Sequence, residues 1–104
     1  MIITTTERIP GHEYEILGIV SGNTVRSKNI GKDIMSGLKS IVGGELEEYT
    51  EMLSDSRKES LNRMINEAKK INADAILNVR FTTSQTTAGA AELLAYGTAV
   101  KLVK

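Results

Sequence analysis

Cysteine is absent from the 104 residues, which excludes disulfides, thiolate nucleophiles and every thiolate-bound zinc or iron–sulfur centre. Tryptophan is absent as well, and three tyrosines and one phenylalanine are the only aromatics. Tyr14, Tyr49 and Tyr96 are scattered, a pattern that suits core packing better than the stacking platforms that hold single-stranded nucleic acid. Neither sign of charge is in excess, with 13 basic against 13 acidic residues. No overall field gathers nucleic acid, anionic lipid or a polyanionic substrate. No apolar run approaches the roughly 18 residues of a membrane span, and Met1 to Thr6 lacks the basic-then-apolar order of a secretion signal. The cytoplasm is the expected compartment, and neither nucleic acid nor membrane is an expected partner.

What is present fits one domain over residues 1–104, within the usual size of a single core. A domain this small removes only about two thirds of its unfolded surface from water, so self-association is an accessible source of further burial.

Glu15 to Ser21 (EILGIVS) is short, branched and apolar, and Gly22-Asn23 follows it, which predicts a first main strand closed by a turn. Ile2 to Thr6 forms a shorter β-type piece, set apart by Pro10-Gly11, a pair that favours a turn. Ile34, Met35, Leu38 and Ile41-Val42 recur at helical spacing and predict a short helix. From Glu45 to about Asn72, apolar residues at Leu46, Tyr49, Leu53, Leu61, Met64, Ile65, Ala68 and Ile71 form one stripe at a 3.6-residue period. Acidic residues crowd the first half of this segment and basic ones the second, the order that complements the helix dipole. A continuous helix there would extend about 42 Å, against about 26 Å for twice the radius of gyration of a 100-residue globule. It therefore either breaks near Ser54-Asp55-Ser56 or overhangs. Ala75 to Thr83 and Glu92 to Val103 predict an antiparallel hairpin joined by the small and polar stretch Ser84 to Ala91. The expected fold class is α+β: a three-stranded, mainly antiparallel sheet with a short and a long helix on one face.

A sheet covered on one side alternates apolar with polar residues, and these strands do not. Leu94, Tyr96, Val100 and Leu102 share one face, while Leu93, Ala95, Gly97 and Ala99 share the other. In the first strand Leu17 and Ile19 oppose Ile16 and Val20. Two helices cannot cover both sides, and burial of the remainder is worth about 25 cal/mol per Å². A second copy is the expected cover, and the small residues of the last strand permit its close approach.

Leu17 to Val25 (LGIVSGNTV), Arg26 to Gly44 (RSKNIGKDIMSGLKSIVGG), Glu45 to Glu51 (ELEEYTE), Ala73 to Phe81 (ADAILNVRF) and Leu94 to Val100 (LAYGTAV) carry a likeness that covers nearly the whole chain. By these stretches it resembles the YbjQ-like family, commonly labelled heavy-metal-binding. The resemblance implies a dodecin-like subunit assembled as a pentamer, with extra short strands at the oligomer interface knitting neighbours together. It carries no ligand set onto numbered positions.

Candidate site residues are few. His12, the only histidine, stands in a turn beside Glu13 and Glu15; these three are the candidate metal ligands, although zinc takes several nitrogen or sulfur donors. Glu47, Glu48 and Glu51 offer oxygen to a hard cation, but a solvated first turn that complements the helix dipole is the favoured reading. Arg26, Lys28, Asn29, Gly31 and Lys32 place three cations near a helix start, a geometry suited to phosphate or carboxylate, but the Walker glycine spacing is missing. Arg80, expected on the face shared with Asn78, suits an intersubunit salt bridge or a ligand contact. No strained serine turn or histidine-partner motif accompanies these residues. The expected function is a homo-oligomeric binding or structural module that takes a small anionic ligand between subunits. A metal-ion carrier and a weak enzyme are the alternatives, and no cofactor is predicted.

Overall fold

A computed structural model describes residues 1–27, 47–87 and 90–103. Its elements are β1 (Ile2–Ile3), β2 (Tyr14–Ser27), α1 (Glu47–Lys70), β3 (Ala75–Thr87) and β4 (Ala90–Leu102). They form an α+β fold whose sheet has four strands in the order β1-β3-β4-β2. β4 is antiparallel to both of its neighbours, whereas β1 runs parallel to β3. The expected three-stranded sheet is thus corrected to a mixed four-stranded one. The N-terminal piece becomes a true edge strand because Ile3 packs on the core and the Thr4 amide donates to the Ile76 carbonyl at 3.0 Å. The predicted short helix, from Ile34 to Val42, lies outside the described residues.

β2 does not end at Gly22-Asn23 but continues to Ser27. Gly22 serves contact rather than a turn: a Cβ built there would overlap the Ser60 carbonyl oxygen and the Met64 amide nitrogen of α1, and would stand 2.8 Å from the Arg63 Cβ. The strand can lie this close to the helix only without a side chain. A bulge falls between Ile16 and Gly18, with Gly18 at φ 144°, a value that glycine tolerates. The extra residue reverses the alternation, so Ile16 and Ile19, paired with Val100 and Thr98, share one face and Val20 takes the other. This corrects the expectation that Ile16 opposes Ile19.

The hairpin is also longer than expected, because the Ser- and Thr-rich stretch pairs as strand up to Thr87 opposite Ala90. β-Branched threonine suits a pleated edge without needing burial. A second bulge, between Leu77 and Arg80, places Asn78 at φ 54°. Leu77, rather than Asn78, then shares the face of Arg80.

α1 is continuous over 24 residues, or about 36 Å, so of the two alternatives the break near Ser54-Asp55-Ser56 does not occur. Strands of 13 or 14 residues, about 45 Å long, give it room to lie along the sheet. Its deepest positions are Met52, Ser56, Ser60, Met64 and Ala68, a row four residues apart and hence on one face. Two serines occupy the middle of this row because they meet Gly22 and Thr24, where larger side chains would hold helix and strand apart. Their hydroxyls are satisfied. Ser60 Oγ donates to the Leu93 carbonyl at 2.8 Å and lies 2.7 Å from Thr24 Oγ1, while Ser56 Oγ donates to the Met52 carbonyl at 2.8 Å. The helix ends with Asn72 at φ 59°. The Ala73 amide reaches the Ala68 carbonyl and the Asn72 amide that of Lys69, which is a Schellman cap.

Val20, Met64, Ala68, Ile76, Val79, Ala95 and Ala99 form the core between α1 and the sheet. Ala75, Leu77 and Val100 make a smaller cluster on the opposite face, packed by Ile9 of the N-terminal segment and Tyr14 at the start of β2. Among the described residues, no helix is long and apolar enough to cross a membrane.

Candidate functional site

β2 exposes two unused surfaces: its face away from α1 and its outer edge. On that face stand Ile19 at 84%, Ile16 at 71% and Val25 at 58% relative exposure, joined by Tyr96 of β4. Isolated exposed apolar residues are ordinary, but a contiguous set of this kind marks contact with a partner.

The outer edge presents main-chain groups. Arg63 Nη1 donates to the Asn23 carbonyl at 2.6 Å, so that carbonyl points away from β4. In an antiparallel pair the N–H and C=O of one residue lie on the same side. Ser21, Asn23 and Val25 therefore turn their backbone outward. Beside this edge lie two shallow depressions against α1. One, of about 370 Å³, is lined by Ile19, Val20, Ser21, Glu67 and Ile71. The other, of about 310 Å³, lies between the Gly22 stretch and Arg63, Asn66 and Lys70. The charges at the rim are paired within the helix, Arg63 with Glu59 at 3.2 Å and Lys70 with Glu67 at 3.1 Å. An extended backbone with an apolar side chain suits such an edge, since hydrogen bonds run along the strand and the depression takes the side chain.

The sequence candidates are dispersed. His12 closes a turn in which its amide donates to the Ile9 carbonyl at 3.2 Å, with Gly11 at φ 79°, the conformation of a type II turn built on Pro10-Gly11. His12, Glu13 and Glu15 are exposed, and no group of three metal-ligating side chains forms among the described residues. Met52 and Met64 are buried in the core. With no cysteine and a single histidine in the chain, this donor set does not fit a soft heavy metal within one copy.

Arg26 is half-buried near the end of β2, opposite Ala91; Lys28, Asn29, Gly31 and Lys32 lie outside the described residues. Glu51 is exposed, and the side chains of Glu47 and Glu48 lie outside those described. Arg80 Nη1 donates to the Thr5 and Val79 carbonyls, each at 2.9 Å, which fastens the N-terminal segment to β3.

Asp74 joins three elements. Its Oδ2 accepts the Leu102 amide at 2.9 Å and its Oδ1 lies 3.3 Å from Lys101 Nζ. The hydrogen bond from the Leu102 amide holds the carboxyl below its ordinary value of 3.8 against the opposing effect of desolvation, with Lys101 helping in the same direction as the amide.

The outer edge of β2 escaped the sequence reading because Gly22-Asn23 resembles a turn. The signal that reveals it is the two-residue alternation of Val20, Gly22 and Thr24 against Ile19, Ser21, Asn23 and Val25, which runs through that pair without interruption.

A family model described as "Putative heavy-metal-binding" matches residues 1–103. A protein of Archaeoglobus fulgidus named "UPF0145 protein" is 74% identical over 103 residues, covering 98% of this chain and 95% of its own. One of the same name from Thermosipho africanus is 59% identical, covering 100% and 97%. A crystal structure of a protein of unknown function from Pediococcus pentosaceus, of the DUF74 family, shares the fold with a TM-score of 0.73 at 18% identity, over 98% of this chain and 97% of that one.

Proposed function

The chain belongs to the YbjQ-like family, and from that premise we propose that it is a homo-oligomeric binding module, assembled as a ring of five copies. The observation that carries this reading is the bare apolar face of β2 and β4, with Ile16, Ile19, Val25 and Tyr96 in solvent. Burial of such surface is worth about 25 cal/mol per Å², and no described element of the same chain lies over it. In sedimentation velocity the protein should run as one species at a multiple of 11.3 kDa, and Ile16→Ser/Ile19→Ser should dissociate it. A single 11.3 kDa species at micromolar concentration would overturn the reading.

The module takes a small anion between copies, with Arg26 as the ligand from β2. Calorimetry with inorganic phosphate should show heat for the wild type and none for Arg26→Ala; equal heats would remove Arg26 from the site.

A further inference from the structure

We infer that the sheet face turned away from α1 carries a binding site for an aliphatic carboxylate. Arg80 of β3 and Tyr96 of β4 hold the carboxylate, and Ile19 of β2 lies under the apolar chain. The site is built within one copy and goes beyond the anion contact proposed at Arg26, which the strand alternation puts on the helix side with Gly22 and Thr24.

The bulge in β3 makes this site. Between Leu77 and Arg80 the strand carries one residue more than β4 opposite, and without it Arg80 would face α1. With it, Arg80 stands on the same face as Tyr96, its partner in the register. The bulge holds Asn78 at φ 54°, a conformation that asparagine adopts more readily than most residues. The amides that it frees are taken up, since Asn78 donates to the Thr6 carbonyl and Val79 to that of Thr4, each at 3.0 Å. Bulges commonly re-aim a side chain in this way beside a functional site.

Arg80 is held in place but not neutralised. Its Nη1 donates to the Thr5 and Val79 carbonyls, each at 2.9 Å. The Nε and Nη2 hydrogens have no acceptor among the described residues, and they form the edge that a carboxylate accepts side by side. The ion pairs among the described residues join Arg63 to Glu59, Lys70 to Glu67 and Lys101 to Asp74, so none of them balances Arg80. A neutral donor would fasten the N-terminal segment equally well, and that role leaves the charge unexplained. Beside it, Tyr96 is 39% exposed, and its hydroxyl has no partner among the described residues. Glu92, on the same face of β4, stands four residues from Tyr96, about 13 Å along the strand, and accepts from Asn23 Nδ2 at 3.3 Å.

The surroundings select among anions. Ile19 pairs with Thr98, while Tyr96 pairs with Ser21, so Ile19 and Tyr96 are diagonal neighbours on one face, within reach of an aromatic side chain. Ile19 is 84% exposed. Arg80 and Ile19 stand on strands two spacings apart, about 10 Å. A fully hydrated ion such as phosphate would meet Arg80 and leave the isoleucine in water. A carboxylate on a chain of several carbons satisfies the guanidinium and covers Tyr96 and Ile19 together, each buried CH₂ contributing about fourfold in affinity.

Titration of the isotope-labelled full chain with octanoate, followed by NMR, should shift the Arg80 Nε–H signal and the amides of Ala95 and Gly97. Tyr96→Phe keeps the ring and should weaken binding roughly tenfold, as should Arg80→Lys, which keeps the charge and loses the fork. Tyr96→Phe leaves the N-terminal fastening intact, so the test holds even if Arg80→Lys loosens that segment. Octanol, with the same chain and no charge, should bind at least about tenfold more weakly than octanoate, and Arg26→Ala should bind octanoate as the wild type does. Equal affinity for octanoate and octanol, undiminished binding in both site variants, or no shift at Arg80 would overturn the site. Sedimentation of the same samples reads the assembly separately. Octanoate bound with these shifts to an 11.3 kDa species would sustain the site and remove the ring, whereas an intact assembly without the shifts would remove the site alone.

Discussion

The two faces of β2 have fates opposite to what their apolar content alone would give. On the helix side Val20, Gly22 and Thr24 are sealed; on the other, Ile19 and Val25 stand in solvent. The bare face repeats the contrast along its length. Near the N-terminal segment, Ala75, Leu77 and Val100 are buried against Ile9 of that segment and Tyr14 of β2, while farther along Tyr96 and Ile19 have nothing described above them. The side chains do not explain this difference, since Ile19 is at least as apolar as Val20. What decides is whether a piece of the same chain reaches that part of the sheet. Hydrophobic burial is non-directional and favours whichever cover is available, so the uncovered part is where a second chain gains most.

Three substitutions can break or sharpen this contrast. The largest effect is expected at Gly22→Ala, whose methyl meets backbone atoms of Ser60 and Met64 that cannot rotate away. Overpacking of this kind should cost about 3 kcal/mol, a fall in Tm of roughly 12 to 20 °C in a domain of this size. A change below 3 °C would mean that helix and strand are farther apart than described.

Next is a pair of changes on the opposite face. Leu77→Ala, 2% exposed, should lose about 2.5 kcal/mol in urea unfolding. Ile19→Ser should change the stability of the separated subunit by less than about 0.5 kcal/mol while weakening assembly. Equal losses at both positions in dissociated protein would show that both halves of the face are covered within one chain.

The smallest effect concerns acid. The folded-state carboxyl of Asp74 lies below 3.8, so its contribution is complete above that value and is lost as pH falls through the lower folded value. Thermal scans at pH 7 and pH 3 should show a smaller acid-induced fall for Asp74→Asn than for the wild type. Parallel falls would assign the acid sensitivity to other groups.

Much of the fold was legible from the residues because local rules agreed with the tertiary outcome. The stripe through Met64, Ile65 and Ala68, with acid before base, marked α1, and the alternation along β4 assigned Leu93, Ala95, Gly97 and Ala99 to one face, as the pairing with β2 confirms. The misreadings share one cause: a residue whose local meaning is ambiguous. Gly22-Asn23 is turn chemistry in isolation, and Ser54-Asp55-Ser56 is a weak helical segment that left the continuity of the helix open. Each is overruled by its contact, Gly22 by the backbone of Ser60 and Ser56 by its place against Thr24. The candidate ligands scattered because adjacency in sequence, as in His12, Glu13 and Glu15, does not bring side chains to a common point when a turn leads directly into a strand.

Composition and periodicity by themselves determined the class of the fold, the long helix, the absence of thiolate chemistry and the surplus of apolar strand surface, because these depend on residue type and spacing along the chain. Tertiary structure alone decided the parallel edge strand, the two bulges that reverse the facing of Ile16 and Arg80, and the position of α1 over β2 rather than β3. Those features arise from contacts between residues distant in sequence, where the fit of Gly22 against Ser60 outweighs local preference and leaves Phe81 and the outer edge of β2 without a cover of their own.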